Sequence, residues 1–199
     1  MANEAENSDV SLVKSIAEKV RGCEIDRIQQ PQTIHTVDRV PAVFREQNQN
    51  AYTPTIVSIG PVHRGATHLK AMEPVKLSYT RALFNRTGAA FEDTLRTCVA
   101  KLLNDELEFL KSFYVSSGLK DSGSLAEVIL IDGCFIIELL KRFVYLYPKY
   151  DPILSDPYKL YAVTRDLLLL ENQIPFRILT ILFNTLGSGH PILIMTYST

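Results

Sequence analysis

The chain has 199 residues, 46% of them hydrophobic and 22% charged, with a mean hydropathy of +0.04. That composition is ordinary for a soluble globular protein, and the length suffices for a core that needs no disulfide or metal staple. Twelve Lys/Arg stand against eleven Asp/Glu in the first hundred residues and the net charge is −1, so the basic stripe of a nucleic-acid binder is missing and no nucleic-acid partner is expected.

The first nine residues (MANEAENSD) are polar and acidic, the opposite of a secretory signal, so the sequon at Asn85-Arg86-Thr87 is not expected to be glycosylated. Cys23, Cys98 and Cys134 are odd in number and far apart, with no CxxC pair; they fit a reducing compartment rather than a zinc site or disulfide framework. No run of about 18 uncharged apolar residues exists: Asp132 and Glu138 interrupt Leu125–Leu140, and Arg177 interrupts Ile174–Leu186. A first helix is predicted from Ser8 or Asp9 on the spacing of Val10, Val13, Ile16, Ala17 and Val20, ending near Gly22. Residues 28–36 read as a linker, so 1–36 form an N-terminal helix and linker. Val37–Gln47 suits a short helix with Pro41 in its first turn.

Asn48, Asn50, Pro54, Gly60, Pro61 and Gly65 punctuate residues 47–66, the least helical stretch. Between them Tyr52–Ile59 reads as extended, and Pro54 argues against a central strand; an extended segment near residues 50–62, packed over a helical body, is predicted. From His68 onward a helical face returns, with Pro74 either in a first turn or at a kink. Phe91–Val115 reads as one long amphipathic helix. Residues 116–124 read as a loop, with Ser124 capping the next helix and Glu127 completing a capping box. That helix, Leu125–Tyr145, is apolar on most sides and should be central. After a Pro-rich loop at 147–158, helices are predicted from Pro157 to about Asn172 and, after Gln173, to about Leu186. The fold class predicted is all-α: a helical bundle with one extended, Pro/Gly-punctuated segment. Residues 187–199 show no helical register.

Candidate chemistry is sparse. His63, His68 and Glu73 lie five apart, whereas a metal pair on one helix face needs three or four, so backbone-satisfied histidines are the better reading and no metal or cofactor is expected. Asp132 and Cys134 are two apart on a helix, where side chains diverge, and no histidine lies near; Cys134 reads as a buried structural thiol. Asp132 in so apolar a run needs a partner, either an Arg or a helix end. Asp166 and Glu171 could be named a carboxylate pair, but with Arg165 adjacent they read as solvated or capping charges. No GxSxG, GxGxxG or GxxxxGKS is present, so no catalytic residue is assigned.

Five stretches in one order resemble the DUF247 (UPF0481) family of plant proteins: Arg39-Val40-Pro41 with Phe44-Arg45-Glu46; Tyr52-Thr53-Pro54 through Val57-Ser58-Ile59-Gly60-Pro61-Val62-His63; Glu73 with Lys76 and Tyr79; Asp132-Gly133-Cys134-Phe135; and Arg165-Asp166 through Glu171-Asn172-Gln173-Ile174-Pro175-Phe176. The resemblance covers roughly residues 37–186, read as a partial domain of this type. Each motif reads first as architecture: Gly60-Pro61 turning the extended segment back, Ser58 bonding local backbone, Gly133 admitting another backbone, and Glu171-Asn172-Gln173 capping two abutting helix ends. Where the family commonly has Arg-x-Cys-Tyr late in its long second helix, this chain has Lys111-Ser112-Phe113-Tyr114.

The resemblance implies a non-enzymatic interaction or recognition protein with unknown protein partners. Relatives are about twice this length and end in a membrane-anchoring helix, so residues 187–199 read as a premature ending. The membrane contact would then be made by a segment missing here, leaving this chain cytoplasmic and longer relatives at a membrane, the plasma membrane first. Some relatives are implicated in self-incompatibility and others in stress responses. The alternative is an unrecognised hydrolase or transferase, which would need His63, Asp132, Glu138, Asp166 and Glu171 to converge in one cleft. Truncation would also leave the apolar faces of residues 167–186 open.

Overall fold

The computed structural model of the chain describes residues 40–115, 121–146 and 150–186, all within a compact unit that begins at His35. The predicted first helix, the linker, Arg39 and the tail at 187–199 lie outside the described residues.

The central element is α5 (Ser122–Lys141), with thirteen buried residues including Ile129, Cys134 and Phe135. Its sequence is apolar almost all round, which only a helix surrounded by neighbours tolerates. Against it pack α2 (Glu73–Asn85), α3 (Phe91–Ala100) and α7 (Phe176–Leu186), with α2·α5 the most extensive contact. Tyr79 of α2 meets Phe135 of α5 at 5.3 Å between ring centroids. Ile178, Leu182 and Leu186 bury one stripe of α7. The remaining helices are α1 (Ala42–Gln47), α4 (Leu107–Phe113) and α6 (Pro157–Leu167). The described residues contain seven α-helices and no strand, so the predicted all-α class holds.

Several boundaries differ from expectation, each for a local reason. The helix predicted over Phe91–Val115 is two: a π turn at Lys101–Asp105 and Glu106, at φ −116°, separate α3 from α4. The cap of α5 is Asp121, whose carboxylate accepts the Ser124 N–H at 2.6 Å, so Ser124 is the capped residue rather than the cap. At its other end α5 passes into a π turn, Arg142–Leu146. Asp156 caps α6 in the same way, accepting the N–H groups of Tyr158 and Lys159. That helix stops at Leu167 instead of running to Asn172, which frees residues 168–175 for another use. Pro41 precedes α1 as its cap rather than lying inside it, and Pro74 falls in the first turn of α2 behind a 3-10 turn at Thr67–Met72.

Residues 53–63 cross the helical body as an extended strap, with Val57 and Ile59 fully buried. No helix or ladder satisfies its backbone. Something else must.

Candidate functional site: a strap held by side chains

An extended backbone buried outside a sheet leaves N–H groups that cost roughly 1–3 kcal/mol each if unpaired. Here three side chains take the place of a partner strand. Asp166, at the end of α6 and fully buried, accepts the N–H groups of Thr55 at 2.9 Å, Ile56 at 2.7 Å and Val57 at 3.0 Å, with the Thr55 hydroxyl at 3.2 Å. Three successive N–H groups around one carboxylate form an anion nest. Arg165 pairs with the same carboxylate at 3.1 Å. Asn172 continues the ladder: its Oδ1 accepts the Ile59 N–H at 2.6 Å, while its Nδ2 donates to the Val57 carbonyl at 3.0 Å and to the Asp166 carbonyl at 2.9 Å. One amide thus pairs the strap and closes the C-terminal end of α6.

Asp132, on α5, accepts the Gly60 N–H at 2.9 Å and pairs with Lys76 at 2.7 Å. Lys76, 2% exposed, also donates to Ser58 Oγ at 3.2 Å and pairs with Glu73 at 2.8 Å. Ser58 therefore bonds to side chains of α2, not to local backbone. Burial pushes the Asp132 carboxyl up to about 6, against the pull of Lys76 and the Gly60 N–H. Gly60 adopts φ +70°, and a Cβ there would lie 3.1 Å from the Gln173 carbonyl and 3.2 Å from the Tyr114 hydroxyl. Only glycine suits both the angle and the space. That Tyr114 hydroxyl donates to the Gln173 carbonyl at 2.7 Å, so the tyrosine kept at the family's Arg-x-Cys-Tyr position ties α4 to the ENQIPF stretch.

At the far end of the strap, Glu171 accepts the Val40 N–H and pairs with Arg45, and its second oxygen lies 3.5 Å from His63 Nε2. Val40, Ala42, Arg45, Thr53, Val62, His63 and Glu171 line an open cleft of about 370 Å³. Pro61 is buried beside it, and Pro54 offers its carbonyl to His68 Nε2 at 3.1 Å. Tyr52 is half-buried at the start of the strap, and Pro41 is exposed at the start of α1.

Most motif residues thus gather on one structure, the strap and its anchors. Gly133 serves packing instead: a Cβ there would come 2.5 Å from Leu182 Cδ1, so it is a side chain of α7, not a backbone, that approaches. Cys134 and Phe135 are fully buried core, and burial pushes the Cys134 thiol up, away from a reactive thiolate. Pro175 and Ile174 are buried at the start of α7, while Phe176 is 68% exposed. With Leu168 and Leu170 it forms the exposed part of the segment predicted to lie open; Ile178, Leu182 and Leu186 are covered within this chain. Asp166, read from sequence as a solvated or capping charge, is a buried anchor. His63 and Glu171 share the cleft, whereas Asp132 and Asp166 hold strap backbone and Glu138 belongs elsewhere.

Glu138 lies in a second network that sequence reasoning missed. Arg142 bonds Glu138 at 2.7 Å and Asp151 at 2.8 Å, its guanidinium 4.0 Å above the Tyr79 ring; Tyr79 donates to Asp151 at 2.6 Å, and Arg86 meets Glu138 at 2.8 Å. Asp151 also accepts the N–H groups of Ile153 and Leu154. Burial would raise its pKa, but these donors outweigh burial and hold it below the usual carboxylate range. Glu138 and Arg142, four apart in sequence across the end of α5, were the one visible signal.

No group of three His, Cys, Asp or Glu side chains with metal-site geometry occurs among the described residues, and no helix among them is long and apolar enough to cross a membrane.

A helical body with a strap latched by side chains, its N–H acceptors drawn from the Asp132 and Arg165–Phe176 stretches, defines the class of this domain. The chain belongs to the DUF247 family, plant proteins of unknown function, whose model matches residues 37–195. It is similar to the UPF0481 protein At3g47200 of Arabidopsis thaliana, 35% identical over 146 residues, which are 73% of this chain and 30% of that protein. It is also similar to the putative UPF0481 protein At3g02645 of the same plant, 29% identical over 145 residues, 72% of this chain and 26% of the relative. The chain thus spans about 30% of the length of the first relative and 26% of the second. No solved structure matches it.

Proposed function

We propose that this domain is a non-enzymatic interaction module whose recognition site for a protein partner is the cleft beside Glu171. The supporting observation is where the polar groups of the motifs go. Asp132, Asp166 and Asn172 engage strap backbone, so the loop at residues 61–65 and the Arg45–His63–Glu171 cleft are held in place before any partner arrives. A preorganised loop on a helical body loses little conformational entropy on binding. Arg45 and His63 offer donors and Glu171 an acceptor, a mixed polar set suited to a peptide backbone and its side chains. Membrane association of longer members, at the plasma membrane first, with this segment on the cytoplasmic side, and a role in self-incompatibility or stress signalling, extend the proposal; family resemblance alone supports them.

Proximity labelling in plant cells tests it, comparing the chain with His63→Ala and Arg45→Ala, and with a full-length relative. The proposal expects a set of labelled proteins that both variants lose, with membrane-associated neighbours added by the full-length form. An unchanged set in both variants would overturn the cleft as the recognition site.

A further inference from the structure

We infer that the groove at the corner between α2 and α3 docks a partner segment carrying a large apolar side chain next to a single carboxylate. This rests on the reading of the domain as an interaction module, and it names a second surface and the chemistry that fits it.

The corner is built by Gly88, whose φ of +68° turns the chain from the end of α2 into Phe91, the first residue of α3. Phe91 stacks its ring at 5.2 Å, tilted, on Phe84, which is buried. One side of the Phe91 ring thus rests on the core while 45% of the residue faces solvent, and Leu77, one face along α2, is 54% exposed. Between them lies a groove of about 410 Å³ lined by Leu77, Thr80, Arg81, Asn85 and Phe91. Two large apolar residues held open around a concavity, with an arginine at the rim, match the composition of the energetic centre of protein interfaces.

Charge decides the occupant. Arg81 is the one cation lining the groove, and it has no ion-pair or hydrogen-bond partner among the described residues. Arg64 pairs with Glu127, Arg86 with Glu138 and Arg177 with Glu106, while Arg96, likewise exposed and without a partner among the described residues, does not line the groove. A guanidinium beside apolar surface is suited to a bidentate carboxylate. Glu92 and Asp93 follow Phe91 just outside the lining and would repel an acidic run, so one carboxylate fits better than several. A second copy fits poorly, because a two-fold contact centred here would bring Arg81 towards its own equivalent.

The test is a selection of phage-displayed random peptides on the whole chain, followed by binding measurements with the synthesised winners. The expected winners share one Asp or Glu beside Phe, Leu or Tyr. Arg81→Glu, at an exposed position, should weaken them about tenfold, and replacing the peptide's carboxylate by Lys should restore binding to that variant. Leu77→Asp should abolish binding, and both variants should melt as the parent does. Winners indifferent to both substitutions, or no shared motif at all, would overturn the inference. So would self-association lost in Arg81→Glu, which makes a second copy the occupant, or binding that appears only once residues 1–36 are removed, which assigns the groove to the chain itself. None of these outcomes touches the labelling that depends on His63 and Arg45, so the two proposals fail separately.

Discussion

Replacing Asp166 by Ala should detach the strap and cost about 2–6 kcal/mol. Three backbone N–H groups, those of Thr55, Ile56 and Val57, converge on this carboxylate, which is fully buried. Thr55 is exposed and its N–H can turn to water, but Val57 is 0% exposed and Ile56 is half-buried. Two inward N–H groups without an acceptor, at about 1–3 kcal/mol each, give that range. Against a typical domain stability of about 5–15 kcal/mol it is a large fraction. Urea denaturation reads the total, and hydrogen exchange reads the place: amides 55–57 should lose protection while those of α5 keep it. Asp166→Asn should fall between parent and Ala, because one oxygen remains while the amide turns donors towards donors. A loss below about 1 kcal/mol with amides 55–57 still protected would refute the idea that this carboxylate holds the strap.

Three further predictions concern packing and charge. Gly133→Ala should destabilise by about 1 kcal/mol, the steric push on Leu182 outweighing the gain in helix propensity, and the double variant with Leu182→Ala should cost less than the sum of the singles in a double-mutant cycle. Gly60→Ala should lower stability by about 1–3 kcal/mol, since it combines a left-handed φ with contacts at 3.1 and 3.2 Å; Gly65→Ala, strained at φ +87° but in open space, should cost less, as thermal melts can rank. The third is a pH dependence of two opposite signs. Asp132 faces Lys76 and Glu73 from α2, Tyr114 from the end of α4, and the Gly60 N–H. Its folded pKa lies above the unfolded 3.8, so its contribution favours the fold at low pH and is lost as pH rises through about 6. Asp151 is held below its ordinary 3.8, so its contribution is present above that value and lost as pH falls from there through the lower folded value. Urea midpoints across this range should lose their decline towards neutral pH in Asp132→Asn, and their decline towards acid in Asp151→Asn.

The second network shows what kind of feature escaped the linear reading. Tyr79, Arg86, Glu138, Arg142 and Asp151 come from α2 and its C-terminal end, α5, the π turn and a loop. None sits in a pattern whose spacing implies the others, apart from Glu138 and Arg142. Asp166 was misread for a related reason. Its neighbours in sequence, Arg165 and Leu167, describe an ordinary helix end, while the three N–H groups it binds lie more than a hundred residues earlier.

By itself the sequence determined the helical class, the central place of α5 and the extended character of the strap, because hydrophobic periodicity and Pro/Gly punctuation act over a few residues. It also carried the family, through five short stretches in one order. Only the tertiary structure decided what those stretches are for. A strap without a sheet needs acceptors from wherever the helices place them, and which carboxylate or amide reaches which N–H depends on packing across the whole domain. The same holds for Gly133, whose neighbour is a leucine on α7, and for the cleft at Glu171, which exists because the strap and α1 meet there.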